Sequence, residues 1–448
     1  MASTYLTRAT ADFGTATNRK KCTISFWVKR SLTASQQAVM GAETTPLGGS
    51  NEARIVLRGD DTLEFYDWQS AYKFRYITNR VFRDTSAWYH IVLAIDTTHP
   101  TGSQRIKMYI NGVEETSFGT STDPAQNLDT FLNSGAYIQI GRQSTGNSYL
   151  DGSLSHYHFI DGTAYDASYF GETDATTGEW KIKTSPSVTY GTNGFFILKD
   201  GNSVTDQSGN SNNWTVGGGT LTKTEDCPDN VFATFNPLAS KVLGTVGFTL
   251  ENGSTVLNPS SNTNQWTTST ICTPSTGKFY WEMKSVQGSA TDWPDIGFMF
   301  TDSISTHMAN SANTQHNFSY ATAIESNGTK WDFGTQTTSW FGGFGNGDII
   351  SCAVDVNAGK FWWGVNGSWL NSGDPANGTN HGSNFTAGTS ITAWVEQYNA
   401  GDVLANFGNG YFGTTAVSSA GTNASGIGIF EYDVPAGFTA LSTKGLNL

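Results

Sequence analysis

A retaining glycosidase needs two carboxyl groups about 5–5.5 Å apart across the scissile bond. On a strand that means acidic residues two positions apart, because successive side chains alternate between faces. No Glu-x-Asp-x-x-Glu run of that kind occurs: Glu64 and Asp67 are three apart and Glu114 and Glu115 are adjacent, so each of these two pairs points to opposite faces. No Gly-x-Ser-x-Gly elbow is present to raise a serine nucleophile. His156 and His158 stand two apart in Ser155-His156-Tyr157-His158-Phe159, so one strand face would carry both imidazoles, as a transition-metal site requires. No third ligand stands near them, and a polar outer face opposite Tyr157 and Phe159 accounts for the pair equally. Asp84, Asp151 and Asp161 could offer hard oxygen ligands to calcium at a rim loop. Each also adjoins Thr or Gly, as ordinary turn aspartates do. Cys22, Cys227, Cys272 and Cys352 lie far apart without Cys-x-x-Cys spacing, which gives zinc no support. No catalytic residue, metal or cofactor is expected.

Aromatic side chains remain as candidates for recognition, since a ring offers a large contact area at little entropic cost. Trp27, Trp88, Trp281 and Trp363 stand within strand-like runs and read as core. Trp293, next to Pro294 and Asp295, and Trp340, in Ser339-Trp340-Phe341-Gly342-Gly343, have turn-like surroundings. Trp331, Trp369 and Tyr398 stand near strand ends. The expected ligand-binding set is therefore Trp293, Asp295, Trp331, Trp340, Trp369 and Tyr398, with large aromatics capping the ends of a sandwich as the alternative reading.

The elements that position these residues read as strands. In Gly347 to Trp369, Ile350, Cys352, Val354 and Val356 alternate onto one face, and Asn357-Ala358-Gly359 turns the chain into Lys360 to Val365. Asn366-Gly367 then supplies the positive φ angles of a type I′ hairpin turn. Cys22 to Lys29, Arg54 to Arg58, Leu63 to Tyr66, Tyr72 to Tyr76, Trp88 to Asp96 and Arg105 to Ile110 repeat the pattern in the first half, with a second Asn-Gly turn at Asn111-Gly112. Asp166 to Phe170 reads as a short helical turn, Thr414 to Gly428 as a loop, and Gly428 to Tyr432 with Pro435 to Leu441 as a terminal strand or docking tail. One apolar face per strand implies antiparallel sheets on a core. The fold class is all-β, as two tandem antiparallel β-sandwiches: residues 1–200, a Gly/Asn/Ser-rich connector 201–240, and residues 241–448.

Three resemblances sharpen this. SFWVK, WYHIVLAID, IKMYINGVEE, Tyr137 to Gly141 and Leu150 to Leu154 follow one another as in the laminin-G/pentraxin type of concanavalin A-like jelly roll. Gly277-Lys278-Phe279-Tyr280-Trp281-Glu282-Met283, Asp295 to Phe298, GDII-CAVD, GKFWW, VNG and Asn406-Phe407-Gly408 come in an order that resembles a SPRY (B30.2-type) domain over roughly 240 to 448, which implies recognition through loops and no catalysis. The stretches from Phe170 to Thr215 and from Asp229 to Leu238 resemble a block of tailed-bacteriophage virion proteins, especially aquatic ones.

Composition bounds the partners. Lys+Arg 25 against Asp+Glu 38 gives 25 − 38 = −13, which disfavours the phosphate backbone of nucleic acid. The 50 glycines and 13% aromatic residues suit tight turns and aromatic cores. The first residues, MASTYLTRATADFGTATNRKK, lack the apolar core of a signal peptide, no apolar run is long enough to span a membrane, and no heptads predict a coiled-coil shaft. The sequence thus leads to the expectation of a non-enzymatic phage virion protein made in the host cytoplasm. It would be homo-oligomeric on the particle, contact other virion proteins, and bind host-surface glycan or protein through aromatic loops. The alternative is a purely structural head-decoration or tail/fibre subunit whose loops bind other virion proteins.

Overall fold

The computed structural model describes residues 3–45, 50–143, 148–199, 203–242, 248–259, 264–288, 293–309, 318–399 and 401–447. It divides into two compact units, Met1–Lys223 and Thr224–Leu448, both built almost wholly of antiparallel strands.

In the first unit an eight-stranded sheet runs Phe118–Thr122, Tyr72–Val81, Thr62–Gln69, Asn51–Leu57, Gln37–Glu43, Tyr137–Ile140, Tyr5–Arg8, Thr215–Gly218. A six-stranded sheet runs Phe195–Ile197, Gly152–Asp161, Lys21–Arg30, Tyr89–Asp96, Ile106–Ile110, Val113–Glu114. The alternation of CTISFWVK puts Ile24, Phe26 and Val28 into one core with Ile55, Phe65, Phe74 and Leu93. Burying such side chains contributes about 1.5–3 kcal/mol each. The expected helical turn is the 3-10 turn Ala167–Tyr169, capped by Asp166, whose carboxylate accepts the Ser168 N–H.

The second unit opposes a seven-stranded sheet, Phe235–Val242, Gln265–Ser269, Ile391–Gln397, Asp295–Phe300, Ala321–Glu325, Lys330–Asp332, Thr335–Thr337, to a larger one. That larger sheet runs through Asp402–Asn406, Lys278–Val286, Ile349–Asp355 and Lys360–Val365 to an edge at Ser368–Trp369. Trp281, Phe298, Ile350, Cys352, Phe361, Trp363 and Val395 form the core. The Trp363 indole N–H donates to the Ile296 carbonyl of the opposite sheet at 2.9 Å, within the core. Asn366 at φ 47° and Gly367 at φ 78° give the turn that the sequence demanded.

The stretch 201–240 is shared between the cores: Trp214 is buried in the first, and Ala233 and Phe235 are buried in the second. The C-terminal residues dock as a tail. Phe430, Val434 and Phe438 cover Tyr280, Ala353 and Trp362 on the outer face of the larger sheet. Thr439–Ala440 adds a parallel pairing to Lys278–Val286.

Candidate functional site

The six aromatic-set residues do not form one surface. The rings of Trp293 and Tyr398 stack at 6.1 Å with planes 23° apart. Asp295 is the cross-strand partner of both Glu325 and Glu396, and all three carboxyl side chains are buried. Trp331 pairs with Ala323, itself opposite Gly297, on that same outer face of the seven-stranded sheet. Trp340 sits elsewhere, edge-on to Trp363 at 6.0 Å, with the Lys330 ammonium 5.1 Å from its ring centre. Trp369 stands apart again, on the larger sheet.

At Trp369 a cleft of about 450 Å³ opens between the larger sheet and the docked tail, within the range of small-ligand sites. Its sheet side is Ser351, Gly364, Gly367 and Trp369; its tail side is Ser419 to Gly421 and Glu431 to Asp433. Each part has a local cause. The Asn366-Gly367 turn returns the chain so that Trp369 pairs with Gly364, where a Cβ would lie 3.3 Å from the Trp369 ring. Gly367 lets Tyr432 pack against the turn, since a Cβ there would lie 2.7 Å from the Tyr432 ring. The tail is folded on itself: Gly421 N–H donates to Phe430 O and Val434 N–H to Thr422 O, both at 2.9 Å. The Glu431 carboxylate accepts the Ser418 N–H and hydroxyl, and Asp433 accepts those of Thr422.

Beneath the wall lies Glu282, fully buried. Its carboxyl group receives the N–H of Glu431 and of Tyr432 at 2.9 Å, the Tyr280 hydroxyl at 2.9 Å and the Asn406 amide at 3.3 Å. Burial outweighs these four donors and pushes its pKa up to about 7. Burial, then the Glu431, Glu282 and Asp348 carboxylates, raise the Tyr432 phenol. The Thr422 amide and hydroxyl lower Asp433. No lysine or arginine is among the described residues that line the cleft. Two half-buried rings with hydroxyl and carboxylate acceptors suit a neutral polyhydroxylated ligand: rings cover C–H faces, oxygens take hydroxyl protons.

The sequence marked Trp369 but not Tyr432, Glu282 or Ser351. In the sequence Tyr432 belongs only to a terminal strand or tail, and nothing in the spacing joins it to Trp369.

Elsewhere the chemistry-capable groups are occupied. Glu64 takes Arg58 at 3.0 Å and Arg75 at 2.7 Å, while Asp67, on the core face, accepts the Phe131 N–H at 2.7 Å. Glu114 pairs with Lys107 and Glu115 with Arg80. His156 and His158 do not share a regular strand face. The register slips between Ser155 and His158, with His156 at φ 46°, and His158 is buried against Phe196 at 3.9 Å. His90 lies 2.9 Å from the Ser25 hydroxyl, an arrangement that resembles a nucleophile and base. The Trp180 indole N–H, however, donates to His90 Nδ1 at 2.9 Å. In the neutral ring Nε2 then carries the proton and donates to Ser25, so His90 cannot take the serine's proton through that contact. Asp161 is fully used as a staple, accepting from Thr17, Asn18, Asn133 and Asn193, and Asp84 closes a turn onto Ser86. Among the described residues no three His, Cys, Asp or Glu side chains could hold a metal ion.

The family model of the concanavalin A-like lectin/glucanases superfamily matches residues 2–168. The first unit contains a concanavalin A-like domain. Among curated proteins no sequence relative matches the chain. Similar solved structures include the SPRY domain of human HERC1, at 16% identity and TM-score 0.29, covering 38% of this chain and 96% of that one. A putative carbohydrate binding protein from Bacteroides ovatus gives 17% and 0.34, covering 50% and 59%. Domain 4 of AbnA, a GH43 extracellular arabinanase from Geobacillus stearothermophilus in complex with arabinotriose, gives 18% and 0.24, covering 33% and 63%. The chain thus spans less than two thirds of the last two, and likeness at these scores carries no functional weight.

Proposed function

We propose that this is a non-catalytic recognition protein that binds a neutral glycan in the cleft between Trp369 and Tyr432. The observation that carries the reading is the cleft itself: two half-buried rings, acceptor oxygens from Ser351, Ser419, Glu431 and Asp433, and no lysine or arginine among the described lining residues. The concanavalin A-like lectin/glucanases match over residues 2–168 supports glycan recognition as the chain's business, although it covers the other unit. A cleft of this kind binds a single sugar unit weakly, at about millimolar strength or roughly −4 kcal/mol. Display of many copies converts that into avidity through effective concentration.

The finer setting, an adhesin on a tailed-phage particle, rests on the resemblance of residues 170–215 and 229–238 to virion proteins. In that setting the glycan is a host-surface polysaccharide, and other virion proteins are the partners that hold the copies together. The test is retention of bead-coupled, multivalent protein on a panel of neutral polysaccharides and on host cells, beside a Trp369→Ala/Tyr432→Ala variant. Binding lost in the variant supports the reading. Absence of binding by folded protein at high valency overturns it and leaves the structural-subunit alternative.

A further inference from the structure

Glu282 has four hydrogen-bond partners, and three of them can only donate. The N–H groups of Glu431 and Tyr432 are backbone, and the Asn406 amide orientation is fixed because its oxygen accepts the Gly408 and Gly410 N–H groups at 2.9 and 3.1 Å. The fourth, the Tyr280 hydroxyl, lies 2.9 Å from Glu282 and equally 2.9 Å from the Ser351 hydroxyl at the cleft. A hydroxyl has one proton to give and can also accept. With Glu282 ionised, Tyr280 must donate to it, Ser351 then donates to Tyr280, and Ser351 turns lone pairs toward the cleft. With Glu282 protonated, its proton finds an acceptor only in Tyr280, so Tyr280 donates to Ser351 and the Ser351 proton is released toward the cleft.

We propose that Glu282 is a positioning residue that sets, through Tyr280, whether Ser351 offers the cleft an acceptor or a donor, and so selects among glycans by its own protonation. The proposal rests on the glycan reading for its consequence and on the hydrogen-bond geometry for its mechanism. Other groups around Glu282 leave it as the group that changes. Lys284, on its own strand face, holds its ammonium over the Phe412 ring at 5.8 Å. Burial keeps the Tyr280 phenol and the Cys352 thiol protonated. Glu431 and Asp433 are tied to Ser418 and Thr422, and Tyr432 is a phenol with a raised pKa. The raised pKa of Glu282, about 7, puts the change at neutrality.

The test has two arms. In the free protein, amide shifts of Ser351, Glu431 and Tyr432 are followed from mildly acidic to mildly alkaline pH. All three should titrate together in the wild type and none in Glu282→Gln, while in Tyr280→Phe the two tail amides should still titrate and Ser351 should not. In the binding arm the probes are a neutral oligogalactoside and the corresponding oligogalacturonide, whose carboxylates only accept. Wild-type retention of the uronide relative to the neutral probe should rise about three- to tenfold on acidification, the worth of one hydrogen bond. It should stay flat in both variants. Amides that fail to titrate, or a Ser351 response that survives in Tyr280→Phe, overturn the relay. If neither probe is retained while the amides behave as described, the relay stands and the glycan reading fails for these sugars.

Discussion

The Glu282 carboxyl group accepts the backbone N–H of Tyr432 at 2.9 Å, across 150 residues of chain. One buried acid in the middle of a sheet therefore holds the ring that forms the far wall of the cleft. The tail is fixed there by side-chain chemistry as well as by its apolar contacts.

Stability should report that proton. The folded-state pKa of Glu282 is raised from 4.5 to about 7, so the native state holds a proton that the unfolded chain has lost between those values. The contribution is full below the lower value and disappears as pH rises through about 7, amounting to about 3 kcal/mol at most. Urea unfolding of wild type and Glu282→Gln across this window should give a difference that changes with pH in that direction. A constant difference would contradict the assignment.

His90 should behave in the opposite sense. Burial, and then the nearby His156, lower its pKa from 6.5 to about 3. Stability from keeping it neutral is therefore present above the unfolded value and is lost as pH falls toward about 3. Imidazole NMR should show His90 as the neutral Nε2–H tautomer throughout the neutral range. A titration near its ordinary value would sink both the tautomer and the argument about Ser25.

The hydrogen bond from Trp363 to Ile296 O ties the two sheets of the second unit inside the core. Trp363→Phe keeps an aromatic ring but removes a buried hydrogen bond, at a cost of about 0.5–1.5 kcal/mol. Trp363→Ala should cost about 3–5 kcal/mol through the cavity it leaves. Denaturant midpoints check both, and equal losses would mean that ring volume alone matters.

Gly367→Ala tests the wall without touching its chemistry. The residue has φ 78°, and the added methyl would meet the Tyr432 ring at 2.7 Å. The turn should lose about 1 kcal/mol, and glycan retention should fall because Tyr432 is displaced. Retention at wild-type strength would show that Tyr432 can move without consequence.

The strands were legible because period-two alternation carries the whole signal, as in Cys22 to Lys29, and the Asn366-Gly367 turn because its φ angles admit few other residues. The slip at His156 was not, since it arises where Gly152–Asp161 pairs with Lys21–Arg30 on one side while His156 N–H bonds to Leu198 O on the other. Trp214 sits in a polar, glycine-rich stretch, so composition gave no sign that it closes the first core. The site was half legible. Trp369 followed from its turn, but Tyr432 reaches it through a buried glutamate whose strand position reads as an ordinary polar outer face.

The most direct measurement is a binding isotherm for the purified protein on the neutral polysaccharide best retained in a panel, beside Trp369→Ala and a Trp293→Ala/Tyr398→Ala control. The account predicts that Trp369→Ala weakens binding at least about tenfold, or roughly 1.4 kcal/mol, with an unchanged melting temperature, while the control binds like wild type. Unchanged binding by a folded Trp369→Ala variant would contradict the account.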